Sequence, residues 1–309
     1  LSQLGEFGLI ELLKKSLNKR KETIIGIGDD CAVLEGLGVR GQGLEKNLLV
    51  TTDTLVENVH FKLKKTSFYD LGYYSLFINV SDIASMGGTP THAFVTIGAP
   101  GRTNVGSIKQ LYQGISALAK KLKIDIVGGD TVSSDKLIVS ITLLGKVDKK
   151  YLMTRAGAKA GDLILTTGEF GGPAAAKFEN RKSKMVNRLK EGQTTAKSRL
   201  ATSMIDSSDG LVRSILEICG SSNVGALIYE AEVPIAKGAT LNQALHGGEE
   251  YELVFTASAK NVARIKKLLG RTKLSIVGEI MPKKSGVGLL GNHGRIAKIG
   301  SGGYEHFKG

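Results

Sequence analysis

The sequence contains no tryptophan and only two cysteines, Cys31 and Cys219, among its 309 residues. Two such distant cysteines exclude a disulfide-rich secreted scaffold and a zinc site built from clustered cysteines. Long hydrophobic runs are also missing. None approaches the roughly 18 residues of a membrane span, and the first residues lack the pattern of a secretion signal. We therefore expect a cytoplasmic protein with no membrane partner.

Acidic residues are fewer than basic ones: the chain has 29 Asp and Glu and 42 Lys and Arg, which gives a formal net charge of +13. This excess favours polyanionic ligands, either nucleic acid or small phosphorylated molecules. Aromatic residues make up only 6% of the chain, and the basic segment 177–199 has none after Phe178. Single-stranded nucleic acid is bound on aromatic stacking platforms. We therefore expect a phosphorylated small ligand and no nucleic-acid partner, with a basic nucleic-acid-binding protein as the alternative from another class.

Apolar periodicity predicts an α/β (α+β) protein in which strands and helices alternate. Charge and small residues interrupt this periodicity after Lys149, which predicts a domain boundary there. We therefore expect an N-terminal domain at 1–150 and a C-terminal α/β domain at 151–309. The predicted strands are 48–52, 92–99, 124–127, 137–147, 163–167, 251–256 and 274–279. The predicted helices are 7–17, one from a cap at Ser67 to a stop at Gly87, 107–122, one from a cap at Asp209 to a stop at Gly220, and 258–269.

Aspartates recur in one local setting, where a short apolar stretch is followed by small residues, often glycine. The aspartates in this setting are Asp29, Asp30, Asp53, Asp130, Asp206 and Asp209. Carboxylates at strand ends and turns favour a magnesium site, because magnesium takes oxygen ligands and is held by carboxylates together with substrate phosphates. Each aspartate is also compatible with an ordinary turn or helix cap.

Asp82 stands apart because it lies deep inside a predicted helix among apolar residues. A buried carboxylate needs a cation or another partner. The alternative is a place on the solvent-facing stripe of that helix.

Other chemical motifs are weak or missing. His60 is not part of a zinc-binding pair, and it is either structural or a hydrogen-bond partner of a substrate. No orienting motif supports a hydrolase built from Cys31 and His60. Two GxGxxG matches, at 36–41 and 286–291, are interpreted as loop glycines, and neither a P-loop nor a protein-kinase signature occurs. Tyr304 near the end is either a packing residue or an aromatic face for a flat heterocycle.

Taken in order, these motifs resemble the thiamine-monophosphate kinase family, within the superfamily that includes aminoimidazole ribonucleotide synthetase and selenophosphate synthetase. The resemblance runs nearly end to end, from Gly5-Glu6-Phe7 to Tyr304-Glu305-His306-Phe307. Seven ordered blocks carry it: 26–31, 51–54 with His60, 79–82, 128–131, 154–157, 208–211 and 248–253. Two departures are Ser207, where the family usually has an apolar residue, and the absence of an Arg-Pro sequence before Asp206.

The resemblance implies ATP- and magnesium-dependent phosphorylation of thiamine monophosphate to thiamine diphosphate, by direct in-line transfer without a covalent intermediate. It implies several magnesium ions held by Asp30, Thr51, Thr52, Asp53, Asp82, Asp130, Asp206 and Asp209. It implies ATP contacts from Tyr112, Gly129, Asp130, Arg155 and Ser208, with Arg155 and Asp130 stabilising charge, and substrate contacts from His60, Glu249 and Tyr304. It further implies a homodimer in which the N-terminal sheets pair, with the C-terminal domain closing the cleft.

Other members of the superfamily are the nearest alternatives. An aminoimidazole ribonucleotide synthetase-like enzyme would share ATP and magnesium but bind a ribonucleotide, and the Glu249 block and Tyr304 favour thiamine instead. A selenophosphate synthetase would need a reactive cysteine near its N-terminus, where Cys31 has the wrong setting. A hydrogenase-maturation relative would need a C-terminal cysteine, and none follows Cys219.

Overall fold

The computed structural model describes residues 2–18, 20–36, 46–178, 186–300 and 302–307. Mixed α/β structure surrounds two β-sheets, which confirms the fold class predicted from the sequence. The helices are α1 (Gly5–Lys14), α2 (Phe68–Ser85), α3 (Val105–Leu122), α4 (Gly172–Phe178), α5 (Leu189–Ser198), α6 (Leu211–Ser222), α7 (Leu241–His246) and α8 (Ala259–Leu269). The strands are β1 (Thr23–Ile25), β2 (Ala32–Glu35), β3 (Lys46–Val56), β4 (Thr89–Ala99), β5 (Asp125–Ser133), β6 (Ile138–Asp148), β7 (Asp162–Thr167), β8 (Ala201–Asp206), β9 (Gly225–Tyr229), β10 (Leu253–Ser258), β11 (Leu274–Met281), β12 (Val287–Leu290) and β13 (Ile296–Lys298).

The first sheet has the strand order β1-β2-β3-β6-β4-β5, and α2 and α3 pack on one of its faces. Alternate residues of β6, namely Val139, Ile141 and Leu143, are fully buried beneath these helices. Successive side chains of a strand point to opposite faces, so their neighbours lie on the other side of the sheet. That other face carries exposed apolar side chains at the edge of the sheet, with Phe94 41% and Val132 47% exposed.

The second sheet has the order β13-β12-β9-β11-β7-β10-β8 and is covered on both faces. Adjacent residues of strand β7 pack into different hydrophobic cores, one on each face of the sheet. Ile164 packs with α6 and α7 on one face, whereas Leu165 packs with α5 and α8 on the other. The chain passes from the first sheet to the second between Asp148 and Asp162. The domain division at 150 stays a prediction.

Helix α2 connects the two halves of the molecule. Its cap is as predicted, since the Ser67 hydroxyl accepts a hydrogen bond from the Asp70 amide. The helix is buried on nearly all sides, against the first sheet, α3, α5 and β8. Gly192 of α5 lies against the carbonyl of Ala84, so closely that a side chain there would collide with that carbonyl. This packing fixes α2 between the domains.

Three predicted boundaries are wrong, two of helix α6 and one of strand β10. Asp209 does not cap α6: Gly210 precedes the helix without a side-chain cap, and the helix continues past Gly220 to end at Asn223 in the left-handed conformation. Strand β10 begins at Leu253 rather than 251, because Glu249 and Tyr251 have positive φ angles that a strand does not accept.

Several short elements have no counterpart among the predicted ones: strands β1, β2, β8, β9, β12 and β13 and helices α4 and α7. Helix α5 falls within the basic segment 177–199, for which the sequence predicts solvated helices. Part of the basic segment 177–199 lies outside the described residues. No helix within the described ranges is long and apolar enough to span a bilayer.

Candidate active site

Three polar side chains on one face of α2, namely Ser81, Asp82 and Ser85, form hydrogen bonds that bring aspartates of both domains close together. Asp82 accepts a hydrogen bond from the Thr51 hydroxyl on β3. One residue earlier, the Ser81 hydroxyl donates to Asp206 at the end of β8, at 2.6 Å. One turn later, the Ser85 hydroxyl donates to Asp30. Positions separated by one turn share a helix face, so α2 places these carboxylates along one cleft between the sheets.

The carboxylates of this cleft resist ionisation. Burial raises the pKa of Asp82 and of Asp206 well above the ordinary range, and the neighbouring carboxylates, including Asp53 and Asp30, raise both further. Burial also raises the pKa of Asp53 to about 6, although a hydrogen bond with Asp82 acts in the opposite direction. We refer to Asp30, Asp53, Asp82 and Asp206 as the aspartate cluster. A cation in the cleft would offset the repulsion among these carboxylates.

Arg155 is the cation that contacts this cluster directly. Its Nε and Nη2 atoms donate to Asp30 at 3.0 and 2.6 Å, and its backbone amide donates to Asp29 at 3.2 Å. Burial acts to lower the pKa of Arg155, but the Asp30 carboxylate raises it above its ordinary value, so the guanidinium stays charged. Asp29 has its pKa raised to about 7, first by burial and then by Asp30.

The donor set of the cluster fits magnesium held jointly with phosphates. Its ligand atoms are carboxylate and hydroxyl oxygens, the type that magnesium prefers. Among the described residues, no three His, Cys, Asp or Glu side chains converge into a ready-made metal cage. Magnesium usually keeps water and binds through one or two carboxylates plus substrate phosphates, which suits such an open arrangement.

Ser208, Asp209 and Glu249 lie together beside the cluster. The Glu249 amide donates to the Ser208 carbonyl at 2.6 Å, and Gly248 lies too close to that carbonyl to carry a side chain without displacement. Glu249 itself has a φ of 63°, a conformation that non-glycine residues rarely adopt. Burial raises the pKa of Asp209 to about 6.

The C-terminal segment reaches the same region. The Tyr304 amide donates to the carbonyl of Asp209 at 3.1 Å, and the Tyr304 ring is 48% exposed. His60, on the turn after β3, lies near this ring, with His306 between them. The three predicted substrate contacts, Glu249, His60 and Tyr304, thus lie around the Asp209 end of the cleft.

Four residues that the sequence predicts for the site lie away from the aspartate cluster of the same chain. Thr52 points to the sheet face opposite Asp53, where it accepts a hydrogen bond from Thr142. Asp130 and Gly129 are on edge strand β5, three strands from β3, which at ~4.8 Å between strands is roughly 14 Å. Tyr112 packs against the first core from α3. Their roles in metal and ATP binding stay predictions.

Sequence reasoning missed several residues that build the site. Glu217 on α6 accepts hydrogen bonds from both Arg155, at 3.3 Å, and Arg213, so it holds the guanidinium of Arg155 from the side opposite Asp30. The four-residue spacing of Arg213 and Glu217 is a detectable helix signal. The partnership with Arg155 is a tertiary contact with no local signature.

The 248–253 block contains residues that pack the two domains together. Tyr251 inserts into the core of the first domain, where its hydroxyl lies 2.9 Å from that of Tyr74. Glu252 is buried and paired with Arg188 through two hydrogen bonds. Two consecutive residues of this block, Tyr251 and Glu252, therefore hold the two domains and the start of α5 together.

Comparison with known proteins places this architecture in a family. Residues 28–147 match the model of the AIR synthase related protein N-terminal domain, and residues 159–291 match that of its C-terminal domain. The two-sheet fold with its interdomain aspartates is thus that of an AIR synthase-related protein.

Comparison with individual relatives identifies the family within this class. The chain is 32% identical to the thiamine-monophosphate kinase of Bacillus subtilis (strain 168), over 99% of this chain and all of that protein. A solved structure described as AaThiL complexed with AMPPCP and TMP matches with a TM-score of 0.82 and 27% identity, covering 99% of this chain and 98% of that one. Thiamine-monophosphate kinase from Stenotrophomonas maltophilia K279a matches with a TM-score of 0.73 and 28% identity, covering 95% and 98%. The chain belongs to the thiamine-monophosphate kinase family, which confirms the resemblance seen in the sequence.

Proposed function

We propose that this protein transfers the γ-phosphoryl group of ATP to thiamine monophosphate and so produces thiamine diphosphate in the cytoplasm. The observation that carries the proposal is the interdomain cleft, where the aspartate cluster and Arg155 lie together in a chain of this family. The related structure AaThiL was solved with AMPPCP and TMP, an ATP analogue and a ligand abbreviated as the substrate proposed here.

The chemistry requires charge neutralisation more than base catalysis. The nucleophile is a phosphate oxygen of the substrate, which is already anionic at neutral pH, so direct in-line transfer needs alignment of two polyanions. Bound magnesium would supply positive charge to the transferring phosphoryl group. Asp30, Asp53, Asp82 and Asp206, with Thr51 and Asp209, are the residues that would hold it.

Arg155 and the substrate contacts complete the proposed site. The Arg155 guanidinium has a planar set of donors suited to phosphate oxygens, and Ser208, beside Asp209, is a further proposed ATP contact. The exposed ring of Tyr304 provides a stacking surface for a flat heterocycle, and His60 and Glu249 border it. Glu249 is a hydrogen-bond acceptor for an exocyclic amine of that heterocycle.

We further propose that the protein is a homodimer that pairs through the exposed face of the first sheet. This face carries Phe94 and Val132 and also Thr52 and Asp130, since Asp130 is in register with Thr96 of β4. A second copy on this face would bury its apolar side chains and enclose both predicted metal ligands. Phe94→Asp should therefore yield monomers by sedimentation with reduced kinase activity. Val105→Asp, at an exposed site on α3, should leave the dimer intact, and a fully active monomer would contradict the proposal.

Product identification tests the proposed reaction. Purified protein is incubated with ATP and magnesium and, in parallel, with thiamine monophosphate, thiamine or a purine-precursor ribonucleotide, and the products are separated by chromatography. We expect thiamine diphosphate only from the monophosphate and only with magnesium. Turnover of the ribonucleotide alone would support an aminoimidazole ribonucleotide synthetase-like activity instead. Tight, salt-sensitive binding of nucleic acid without turnover of either substrate would support the nucleic-acid alternative.

A further inference from the structure

His306 lies between Tyr304 and His60, two residues proposed to contact the substrate. Its Nε2 atom lies 3.3 Å from Nε2 of His60, and its Nδ1 atom lies 3.3 Å from the hydroxyl of Tyr304. The imidazole also meets both neighbouring rings edge to face, with centroid separations of 5.2 Å to His60 and 4.9 Å to Tyr304. His306 therefore contacts both residues through hydrogen bonds and through ring packing.

The hydrogen bonds of this trio have one consistent direction. The backbone amide of Val56 donates to Nδ1 of His60 at 2.9 Å, so the neutral His60 ring carries its proton on Nε2. That proton faces Nε2 of His306, which must accept, so His306 carries its own proton on Nδ1. The Nδ1–H of His306 in turn faces the Tyr304 hydroxyl. The orientation of each ring is thereby set by its neighbour, starting from the backbone of β3.

Both ends of the described chain hold His306 in place. Its backbone amide donates to the Glu6 carboxylate of α1 at 3.1 Å. Next to Glu6, the Phe7 ring lies under the guanidinium of Arg213, 3.2 Å from the ring centroid. Gly303 fits so closely against the Asp209 carbonyl and Arg213 that no side chain could be added there. The first turn of α1 and the start of α6 thus form the support on which the 302–307 segment lies.

We propose that His306 is a positioning residue that fixes the rings of Tyr304 and His60 for a flat heterocyclic substrate, and that Glu6 anchors it. This inference rests on the proposed function, because the heterocycle is that of thiamine monophosphate. It gives a purpose to two motifs at opposite ends of the sequence, Gly5-Glu6-Phe7 and His306-Phe307, that phosphoryl transfer does not use. His306 acts on the heterocycle end of the site, away from the Arg155 and Asp30 contacts.

Steady-state kinetics of His306 variants test the inference. We expect His306→Ala to raise the KM for thiamine monophosphate about 10-fold or more while the KM for ATP stays within about twofold, because only the heterocycle contacts lose their orientation. His306→Gln keeps a polar group near the Nε2 position and should recover part of the loss. His293→Ala, an exposed histidine between β12 and β13, is the matched control and should behave as wild type.

A double-mutant cycle with His60→Ala distinguishes a positioning role of His306 from a role in which its side chain only fills space. If His306 orients His60, the two effects on the KM for thiamine monophosphate are not additive, since residues in contact are energetically coupled. Additive effects, an unchanged KM in His306→Ala, or an equal rise in the KM for ATP would each overturn the inference and leave the kinase reaction intact. Absence of thiamine diphosphate with the wild-type protein would instead overturn the proposed function, and this inference with it.

Discussion

At the scale of single residues, the buried carboxylates of the proposed active site lower the stability of the folded protein. Asp82 and Asp206 are buried close to Asp53 and Asp30, and their pKa values are raised by burial and then by neighbouring carboxylates. A protein selected for stability alone would replace such a group by neutral residues. Their retention is expected where ligand binding, rather than folding, needs the charge.

Asp53→Asn should separate stability from activity. The amide cannot ionise, so the repulsion with Asp82 disappears, and the melting temperature of the metal-free protein should rise by roughly 2 °C or more. Turnover should fall at least ~100-fold, because a proposed magnesium ligand is lost. Thermal melts and product assays check both effects, with Asp135→Asn in an exposed turn as the control. Full activity in Asp53→Asn would show that this carboxylate holds no essential cation.

Glu217→Gln tests how Arg155 is held. The carboxylate accepts from Arg155 and Arg213, and its neutral substitute weakens both contacts, so Arg155 should shift toward Asp30. We expect the KM for ATP to rise about 10-fold with little change in the KM for thiamine monophosphate, a loss of ~1.4 kcal/mol of binding free energy. Initial-rate measurements at varied ATP provide the readout, and Glu11→Gln on exposed α1 is the control. An unchanged KM for ATP would show that Asp30 alone orients the guanidinium.

At the scale of elements, the close crossing of α2 and α3 sets where Asp82 lies. Gly72 of α2 lies against the Leu111 carbonyl, and Gly114 of α3 lies against the Tyr69 carbonyl, each too closely for any side chain. These reciprocal glycines let the two helices approach backbone to backbone. The position of α2 above the first sheet, and therefore of its aspartate, depends on this contact.

Gly72→Ala should force the helices apart. The added methyl group meets backbone rather than a flexible side chain, so we expect a loss of about 2 kcal/mol in the free energy of unfolding. Chemical denaturation monitored by circular dichroism gives this value, and Gly101→Ala, where the added atom would meet nothing, should be neutral. A Gly72→Ala protein as stable as the wild type would show that the helix crossing can accommodate a side chain at this position.

The elements also show what could be predicted from sequence and what could not. Helix α2 was predictable because Ser67 and Asp70 form a local cap and the Gly87 stop is local too. The short strands β12 and β13 were not, since β12 pairs with the remote strand β9 and β13 in turn pairs with β12, so both depend on a contact that their own residues do not show. The same distinction applies to the site. Aspartates in repeated local motifs were found, whereas Glu217, whose partner Arg155 is remote in sequence, was not.

At the scale of the whole molecule, the raised carboxylate pKa values make stability depend on pH in a definite direction. Burial is the largest cause of these shifts, to about 7 for Asp29 and Glu250 and to about 6 for Asp53 and Asp209. The unfolded chain releases these protons near pH 4, so between pH 4 and 7 the folded state binds more protons than the unfolded state. Their contribution to stability is therefore fully present below pH 4 and is lost as the pH rises through 6 to 7.

Metal-free protein should accordingly melt at a higher temperature at pH 5.5 than at pH 8. Magnesium held by the aspartate cluster, as proposed, would bind the ionised carboxylates of the native state, so its addition should raise the melting temperature more at pH 8 than at pH 5.5. Differential scanning calorimetry with and without magnesium measures both effects, and Asp53→Asn should show a smaller dependence on pH. A metal-free protein that is more stable at pH 8 would contradict the assignment of buried, mutually repelling carboxylates.

The fate of a labelled γ-phosphate tests direct transfer from ATP to thiamine monophosphate. ATP carrying 32P at the γ position is mixed with thiamine monophosphate, magnesium and the wild-type protein, and the label is located by chromatography over a single turnover. We expect the label to appear in thiamine diphosphate at the rate at which ATP disappears, without a labelled protein intermediate. Label that appears only as inorganic phosphate, or first on the protein, would contradict direct transfer between the two substrates.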